Sequence, residues 1–138
     1  MTYPLGVWQA MITCVYVADK VRLGDSEFVS TARLAADLGL PAPSAAALIR
    51  RLTAAGLIET REGARGGVRL AREPEQISLD DVVNAMQQAR PLFSTDHRLQ
   101  VSGPTPARRQ KQLRKALQGA EDAMHQSLRE VTLADLAK

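Results

Sequence analysis

The chain has 138 residues, of which 45% are hydrophobic and 24% charged, enough for one globular domain or a domain with an extension. Its single cysteine excludes an intrachain disulfide framework and fits a reducing compartment, and its 4% of aromatic residues argues against stacking platforms for single-stranded nucleic acid. The net charge of +3 is modest. The first residues lack the basic region of a signal peptide, and no apolar run could cross a bilayer. We therefore expect a cytoplasmic protein that has no membrane partner.

The most apolar segment, residues 5–19, has a helical pattern. Two apolar stripes share it: Leu5, Trp8, Ile12 and Val15 form one, and Val7, Met11, Cys14 and Val17 form the other. A helix that is apolar on two sides is buried on two sides, so in a chain this small we expect contact with a second element or a second subunit. Cys14 invites a redox interpretation, but a lone cysteine in an apolar helix is more typical of a small buried hydrophobe.

Two further helical patterns follow, separated by a short turn. Ser30 or Thr31 can cap the first of them, and residues 39–41 make the turn. The second begins after Pro41, where a fixed φ is compatible with a first turn, and Gly56 ends it. Four residues at three- and four-residue spacing form its inner face: Ala45, Leu48, Ile49 and Leu52.

The periodicity then changes to that of strands. Residues 57–60 and 68–71 read as two short strands, joined by the sequence REGARGG, whose glycines suit a turn and whose arginines suit contact with phosphate. Phe28 and Val29 are candidates for a small third strand. A helix followed by a basic hairpin is the core of a winged helix-turn-helix, so the sequence predicts DNA binding.

The rest of the chain divides into a capped helix, a loop and a long helix. Ser78 and Asp81 have the spacing of a capping box. Four helix breakers make residues 90–106 a loop: Pro91, Gly103, Pro104 and Pro106. We therefore predict a winged helix-turn-helix DNA-binding domain over residues 1–89 and a dimerisation helix with a tail over residues 107–138.

The long helix carries one apolar seam. Its members are Leu113, Leu117, Ala120, Met124, Leu128 and Val131. About 25 residues extend ~37 Å, and a helix of that length with one apolar seam needs a partner, most simply its own copy. The predicted dimer interface consists of Leu113, Leu117, Met124 and Leu128. The tail, with Leu133 and Leu136, can fold back as a short helix.

Five stretches, in this order, resemble the Rrf2 family of winged-helix transcription regulators. They are LAADLGLP at 34–41, LxxAGLIET at 52–60, the glycine-rich wing at 63–72, ISL at 77–79 and TLADL at 132–136. The resemblance implies a fold that is mainly α with a small β-wing. It also implies a homodimer whose long C-terminal helix packs near the first helix of its partner.

The departures from the family pattern concern cofactor and operator. Cluster-binding members carry three cysteines in the loop before the long helix, whereas residues 90–109 contain none. Iron–sulfur clusters need thiolate ligands, and Asp96 and His97 cannot replace three of them. We therefore expect no cofactor and no metal site. Glu62 and Val68 also differ from the usual wing, so recognition of the better-known operators of the family is not expected.

The leading interpretation is a homodimeric repressor that binds double-stranded DNA at a palindromic operator. The candidate DNA contacts are Ser30, Thr31, Ser44, Arg50 and Arg51 at the helix-turn-helix, and Arg61, Arg65 and Arg69 at the wing. Recognition-helix residues would reach base edges, and wing arginines would contact the backbone or the minor groove. For each arginine alone, a solvated surface role is the simpler reading, and it is their concentration in one hairpin that favours DNA.

Two other interpretations concern partners of a different kind. The winged helix could be a protein-interaction module that acts as a regulatory subunit of a metabolic enzyme, although a protein-binding wing needs fewer basic residues. An enzyme is excluded because no catalytic or metal-binding motif is present. A small-molecule or protein effector is possible, and apolar surplus near Trp8, Met11 and Met86 suggests a place for one, with ordinary core packing as the alternative.

Overall fold

The computed structural model describes residues 3–22 and 27–136, and over these residues the chain is mainly helical with one small antiparallel sheet, as predicted. The elements in chain order are α1 (Tyr3–Arg22), α2 (Thr31–Leu38), α3 (Ala42–Ala54), β1 (Ile58–Arg61), β2 (Gly67–Leu70), a 3-10 turn (Pro74–Gln76), α4 (Leu79–Gln87), α5 (Pro104–Arg129) and α6 (Leu133–Leu136). None of the helices within these two ranges is long and apolar enough to cross a membrane.

Helix α1 is the centre of the hydrophobic core, and it packs against α3, α4, α6 and β2. Its innermost residues, Ala10, Cys14 and Val17, are completely buried. Burial raises the pKa of the Cys14 thiol to about 12, so the side chain is an uncharged part of the core, as the interpretation of a buried hydrophobe requires. On the other side of the helix, Leu5 is 58% exposed and Trp8 63% exposed. Ile12 and Val15 of the same stripe are half-buried, and Val15 packs against the core, so only the start of this stripe is left exposed.

Helices α2 and α3 form the predicted helix-turn-helix. Ser30, not Thr31, is the cap of α2, and its hydroxyl accepts a hydrogen bond from the backbone N–H of Arg33 at 3.4 Å. Helix α3 begins directly after Pro41. All four residues predicted for its inner face are buried: Ala45, Leu48, Ile49 and Leu52. At its other end, the guanidinium of Arg72 donates to the carbonyl of Gly56 at 3.3 Å, which links the end of the wing to the end of α3.

The wing is a two-stranded antiparallel hairpin with a short third strand. Ile58 lies opposite Leu70 and Glu59 opposite Arg69. Val29 exchanges two backbone hydrogen bonds of 2.8 Å with Val68, so the predicted third strand is present as a one-residue bridge at Val29. Because Val68 is fully buried, the wing is anchored to the core at its centre while its turn stays exposed.

The predicted capping box opens α4. The Ser78 hydroxyl accepts from the Asp81 N–H at 3.1 Å, and the Asp81 carboxylate accepts from the Ser78 N–H at 2.9 Å. The tail folds back onto this point, since the Leu133 N–H donates to the Ile77 carbonyl at 2.9 Å. Leu133 itself is buried, so the short terminal helix α6 completes the core as expected.

Helix α5 starts earlier than its sequence suggests. It begins at Pro104, immediately after Gly103, so Pro104 and Pro106 lie in its first turn rather than in the preceding loop. Proline is tolerated there because the first backbone N–H groups of a helix have no intrahelical acceptor. The expectation that these two prolines break a helix was therefore wrong.

The junction between α5 and α4 is polar. Asp80 of α4 is almost fully buried and pairs with the imidazole of His125, while the guanidinium of Arg129 lies 3.5 Å from its other oxygen. The second nitrogen of His125 is 3.5 Å from Glu121, whose carboxylate accepts the backbone N–H of Leu92. A buried carboxylate is stable only when it is paired, and this network provides the partners.

Candidate nucleic-acid interface

The residues predicted at the helix-turn-helix lie around the ends of α2 and the outer side of α3. Ser30 and Thr31 are exposed at the start of α2, and Arg50 is exposed on α3 opposite the buried face. Ser44 and Arg51 occupy a flank of α3 rather than its outermost side, and Arg51 is half-buried. The two arginines that are adjacent in sequence thus face different surroundings.

The tip of the wing is a tight turn that presents arginine to solvent. The Gly66 N–H donates to the Gly63 carbonyl at 3.0 Å, which places Ala64 and Arg65 at the centre of the turn. Arg65 is exposed and, among residues 3–22 and 27–136, has no ion-pair partner. A guanidinium held in this way remains available to an incoming phosphate.

The third wing arginine is held differently. Arg69 forms ion pairs with the carboxylates of Glu59 and Glu27, and its guanidinium lies 4.5 Å from the centre of the Phe28 ring. The hydrogen bond with Glu59 is the main cause that raises the pKa of Arg69. Arg61 lies over the same ring at 5.5 Å. The charge of Arg69 is therefore already compensated within the wing, unlike that of Arg65.

This pairing is not apparent from the sequence pattern because it depends on strand register. Glu59 and Arg69 are directly opposite each other across the hairpin, where opposite charges stabilise a sheet. An alignment of the two strands about the Gly63–Gly66 turn would have identified the pair. Glu27 precedes the third strand, and only the pairing of Val29 with Val68 brings it close.

The donor atoms of the chain do not fit an iron–sulfur cluster. The loop between α4 and α5 contains no cysteine, and the single thiol of the chain, Cys14, is enclosed in the core. Over the described residues, no group of three histidine, cysteine, aspartate or glutamate side chains is arranged to hold a metal ion. His125 instead has both ring nitrogens next to carboxylates, as described above.

The predicted seam of α5 is incompletely covered within one chain. Leu113 is 65% exposed, and Leu117, Met124 and Leu128 are half-buried. Other large apolar side chains are exposed in α1, in the loop before α5 and in α6: Leu5, Trp8, Phe93, Leu99, Val101 and Leu136. Trp8 and Met86, which the sequence suggested as neighbours around an effector, face different surroundings, because Met86 is buried.

A helix-turn-helix that is followed by an anchored basic hairpin and a long outer helix defines a winged helix-turn-helix protein. The sequence profile of the Rrf2 family, described as "Iron-dependent Transcriptional regulator", matches residues 9–138. The chain belongs to the Rrf2 family of transcriptional regulators. This confirms the family resemblance and the interpretation as a regulator rather than an enzyme.

The relatives include two bacterial proteins of known name. The chain is 31% identical over 116 residues to the "HTH-type transcriptional repressor NsrR" of Streptomyces coelicolor, covering 84% of this chain and 75% of that protein. It is 33% identical over 116 residues to "Protein rrf2" of Nitratidesulfovibrio vulgaris, covering 83% and 75%.

Solved structures share the fold. The global cysteine regulator CymR of B. subtilis superposes with a TM-score of 0.65 at 26% identity, covering 96% of this chain and 92% of its own. IscR of T. potens superposes with a TM-score of 0.66 at 24% identity, covering 95% and 82%.

Proposed function

We propose that this protein is a homodimeric repressor that binds a palindromic operator in double-stranded DNA without an iron–sulfur cluster. In this proposal residues 1–89 bind DNA, residues 104–138 form the dimer, and residues 90–103 connect them. The relationship to a named repressor supports the direction of regulation. Family membership in transcriptional regulators disfavours the alternative of a regulatory subunit for a metabolic enzyme.

The observation that carries the proposal is the contrast among the arginines of the wing and α3. Arg50 and Arg65 project from α3 and from the wing tip and have no ion-pair partner in the described part of the chain. Arg69 is compensated by two carboxylates. We therefore assign Arg50 to the major groove and Arg65 to the backbone or minor groove, and we assign Arg69 to the support of the wing.

A salt series tests this assignment. Arg65→Gln should weaken binding to all duplexes and lower the slope of log K against log salt by ~0.9 per lost phosphate contact, whereas Arg50→Gln should weaken the operator more than a scrambled duplex. Fluorescence anisotropy with an operator selected from random duplexes, and with a scrambled duplex, provides the slopes. Arg108→Gln is the matched control, because Arg108 is an exposed arginine of α5 and belongs to neither α3 nor the wing. If the slope is unchanged in Arg65→Gln and the preference for the operator is unchanged in Arg50→Gln, the DNA-binding surface lies elsewhere.

The absence of a cluster follows from the donor set. Three thiolates are missing from the loop before α5, and Cys14 is protonated inside the core. The purified protein should be colourless, contain no stoichiometric iron and bind DNA equally well with and without an iron chelator. A visible charge-transfer band that accompanies bound iron would contradict this part of the proposal.

The dimer is proposed from the exposed apolar surface. Leu5 and Trp8 of α1 and Leu113 of the α5 seam are exposed in the single chain, and exposed apolar patches of this kind mark interaction surfaces. Two copies of the chain can cover both surfaces at once. A two-fold arrangement also provides two recognition helices, which can then sit ~34–36 Å apart on a palindromic site.

A further inference from the structure

A groove lies where the start of α1, one flank of α3 and the loop after α4 meet. Its volume is about 820 Å³, within the range of sites for small molecules. Leu5 and Gly6 line it from α1, Leu48 from α3, and Met86 and Leu92 from the end of α4 and the loop. Gly6 is closely packed there, since a Cβ atom on it would lie 3.3 Å from the Met86 methyl group. Much of the wall is therefore apolar.

The charged residues of this groove are all basic. Arg51 and Arg90 line it, and no aspartate or glutamate does. Neither arginine has an ion-pair partner within residues 3–22 and 27–136, whereas Arg33, Arg69 and Arg129 are each paired there. Two uncompensated guanidinium groups beside an apolar wall match the chemistry of an amphipathic anion.

A second groove provides the contrast. It lies beside the wing and α6, with a volume of about 1080 Å³. Its lining includes four carboxylates and two arginines: Glu59, Glu73, Glu75, Asp135, Arg69 and Arg72. Arg69 is already paired with Glu59 there. An anion would meet repulsion at this site, so the preference for anions belongs to the groove between α1 and α3.

The groove is also built on the recognition helix. Ser44, Ala47, Leu48 and Arg51 line it, and their spacing of three, four and seven residues places them along one flank of α3. Any occupant therefore contacts the helix next to its DNA-facing side. Neutralisation of Arg51 by a bound anion would also remove positive charge from this side.

We infer that this groove binds a small amphipathic carboxylate, with its carboxylate held by Arg51 and Arg90 and its apolar part against Leu48, Met86 and Leu92. Occupancy weakens operator binding, because the ligand neutralises charge on the recognition helix. The binding step stands on the groove alone, and only this coupling rests on the proposed function. Binding free energies are reciprocal, so operator DNA weakens carboxylate binding by the same factor.

Isothermal titration calorimetry without DNA tests the binding step. Octanoate should bind, while octan-1-ol, which lacks the charge, and inorganic phosphate, which lacks the apolar part, should bind at least about tenfold more weakly. Arg51→Gln and Arg90→Gln should each weaken octanoate by about tenfold. Arg98→Gln removes the same charge from an exposed position of the loop outside the groove, and should change nothing.

The result that overturns the site is absence of octanoate binding, or equal affinities for octanoate and octanol, or equal affinities for wild type and Arg51→Gln. The coupling has a separate readout. Saturating octanoate should raise the Kd for operator DNA by about five- to tenfold in wild type, and Arg90→Gln should need about tenfold more octanoate to reach half of its own rise. An octanoate complex with unaltered DNA affinity overturns the regulatory role. Failure of the protein to bind any duplex overturns the proposed function and leaves the calorimetric result standing.

Discussion

Replacement of Gly67 by alanine should damage the wing at its anchor. The backbone of Gly67 has φ of +139°, a conformation that side chains rarely adopt, and a Cβ atom there would lie 2.0 Å from the carbonyl oxygen of Val29. That carbonyl accepts the hydrogen bond that joins the third strand to Val68. The new methyl group therefore cannot fit unless the third strand separates from the hairpin.

The cost has two parts, and one control separates them. The unfavourable φ costs about 1–3 kcal/mol, and the overpacking adds about 1–3 kcal/mol. Gly63 at the wing turn also has a positive φ, +103°, but a Cβ atom there meets no atom within 4 Å. Gly63→Ala should therefore lower the free energy of unfolding only by the cost of the unfavourable φ. Gly67→Ala should lower it by both costs, which together are a large fraction of the ~5–15 kcal/mol that stabilises a typical domain.

Urea denaturation followed by far-UV circular dichroism measures the two free energies of unfolding. Amide hydrogen exchange at Val29 and Val68 gives a second readout, because their paired N–H groups should lose protection in Gly67→Ala and keep it in Gly63→Ala. If the two variants lose the same stability and keep the same protection, then the close approach of Gly67 to the third strand does not constrain the wing.

Three further predictions concern the interior and the seam. Leu117→Glu would bury an unpaired carboxylate at the proposed interface, at a cost of several kcal/mol. The variant should therefore sediment as a monomer while its helical circular dichroism persists. A dimer of normal affinity would place the interface elsewhere. Because burial raises the pKa of Cys14 to about 12, its thiol should resist a disulfide reagent at pH 8 until the chain unfolds, and rapid labelling of the native protein would contradict its burial. The contribution of this thiol to the free energy of unfolding should also decline as the pH rises from about 9 to 12. Asp80→Ala leaves His125 and Arg129 without their buried partner and should lower the free energy of unfolding by about 2–3 kcal/mol. The same urea titration measures this loss. A loss below ~0.5 kcal/mol would show that water replaces the carboxylate.

Local patterns were sufficient to predict much of the fold. The buried face of α3 and the capping box at Ser78 each depend on residues within a few positions of one another, and each is confirmed. The predicted pairing of Val29 with the wing is also confirmed, as a one-residue bridge to Val68. The resemblance to the Rrf2 family then indicated that these elements combine into a winged helix-turn-helix with a long C-terminal helix.

Side-chain pairings between distant segments were not accessible from the sequence. The pairing of Arg69 with Glu27 spans 42 positions, and that of Asp80 with His125 spans 45. The same holds for the groove at Arg51 and Arg90, which forms only when α1, α3 and the loop are brought together. Charge patterns identified basic residues correctly, but whether each charge is compensated depends on the packed structure.

The polar junction at Asp80 has a mechanical consequence for operator spacing. It holds α5 near its C-terminal end, at His125 and Arg129. The whole helix has 26 residues and is ~39 Å long, so its N-terminal end lies far from this junction. A tilt of about 5° at this pivot would displace the far end by ~3 Å, close to the rise of one base pair of B-DNA. If two copies associate along this helix as proposed, the angle set by three side chains determines which half-site spacing the pair can span.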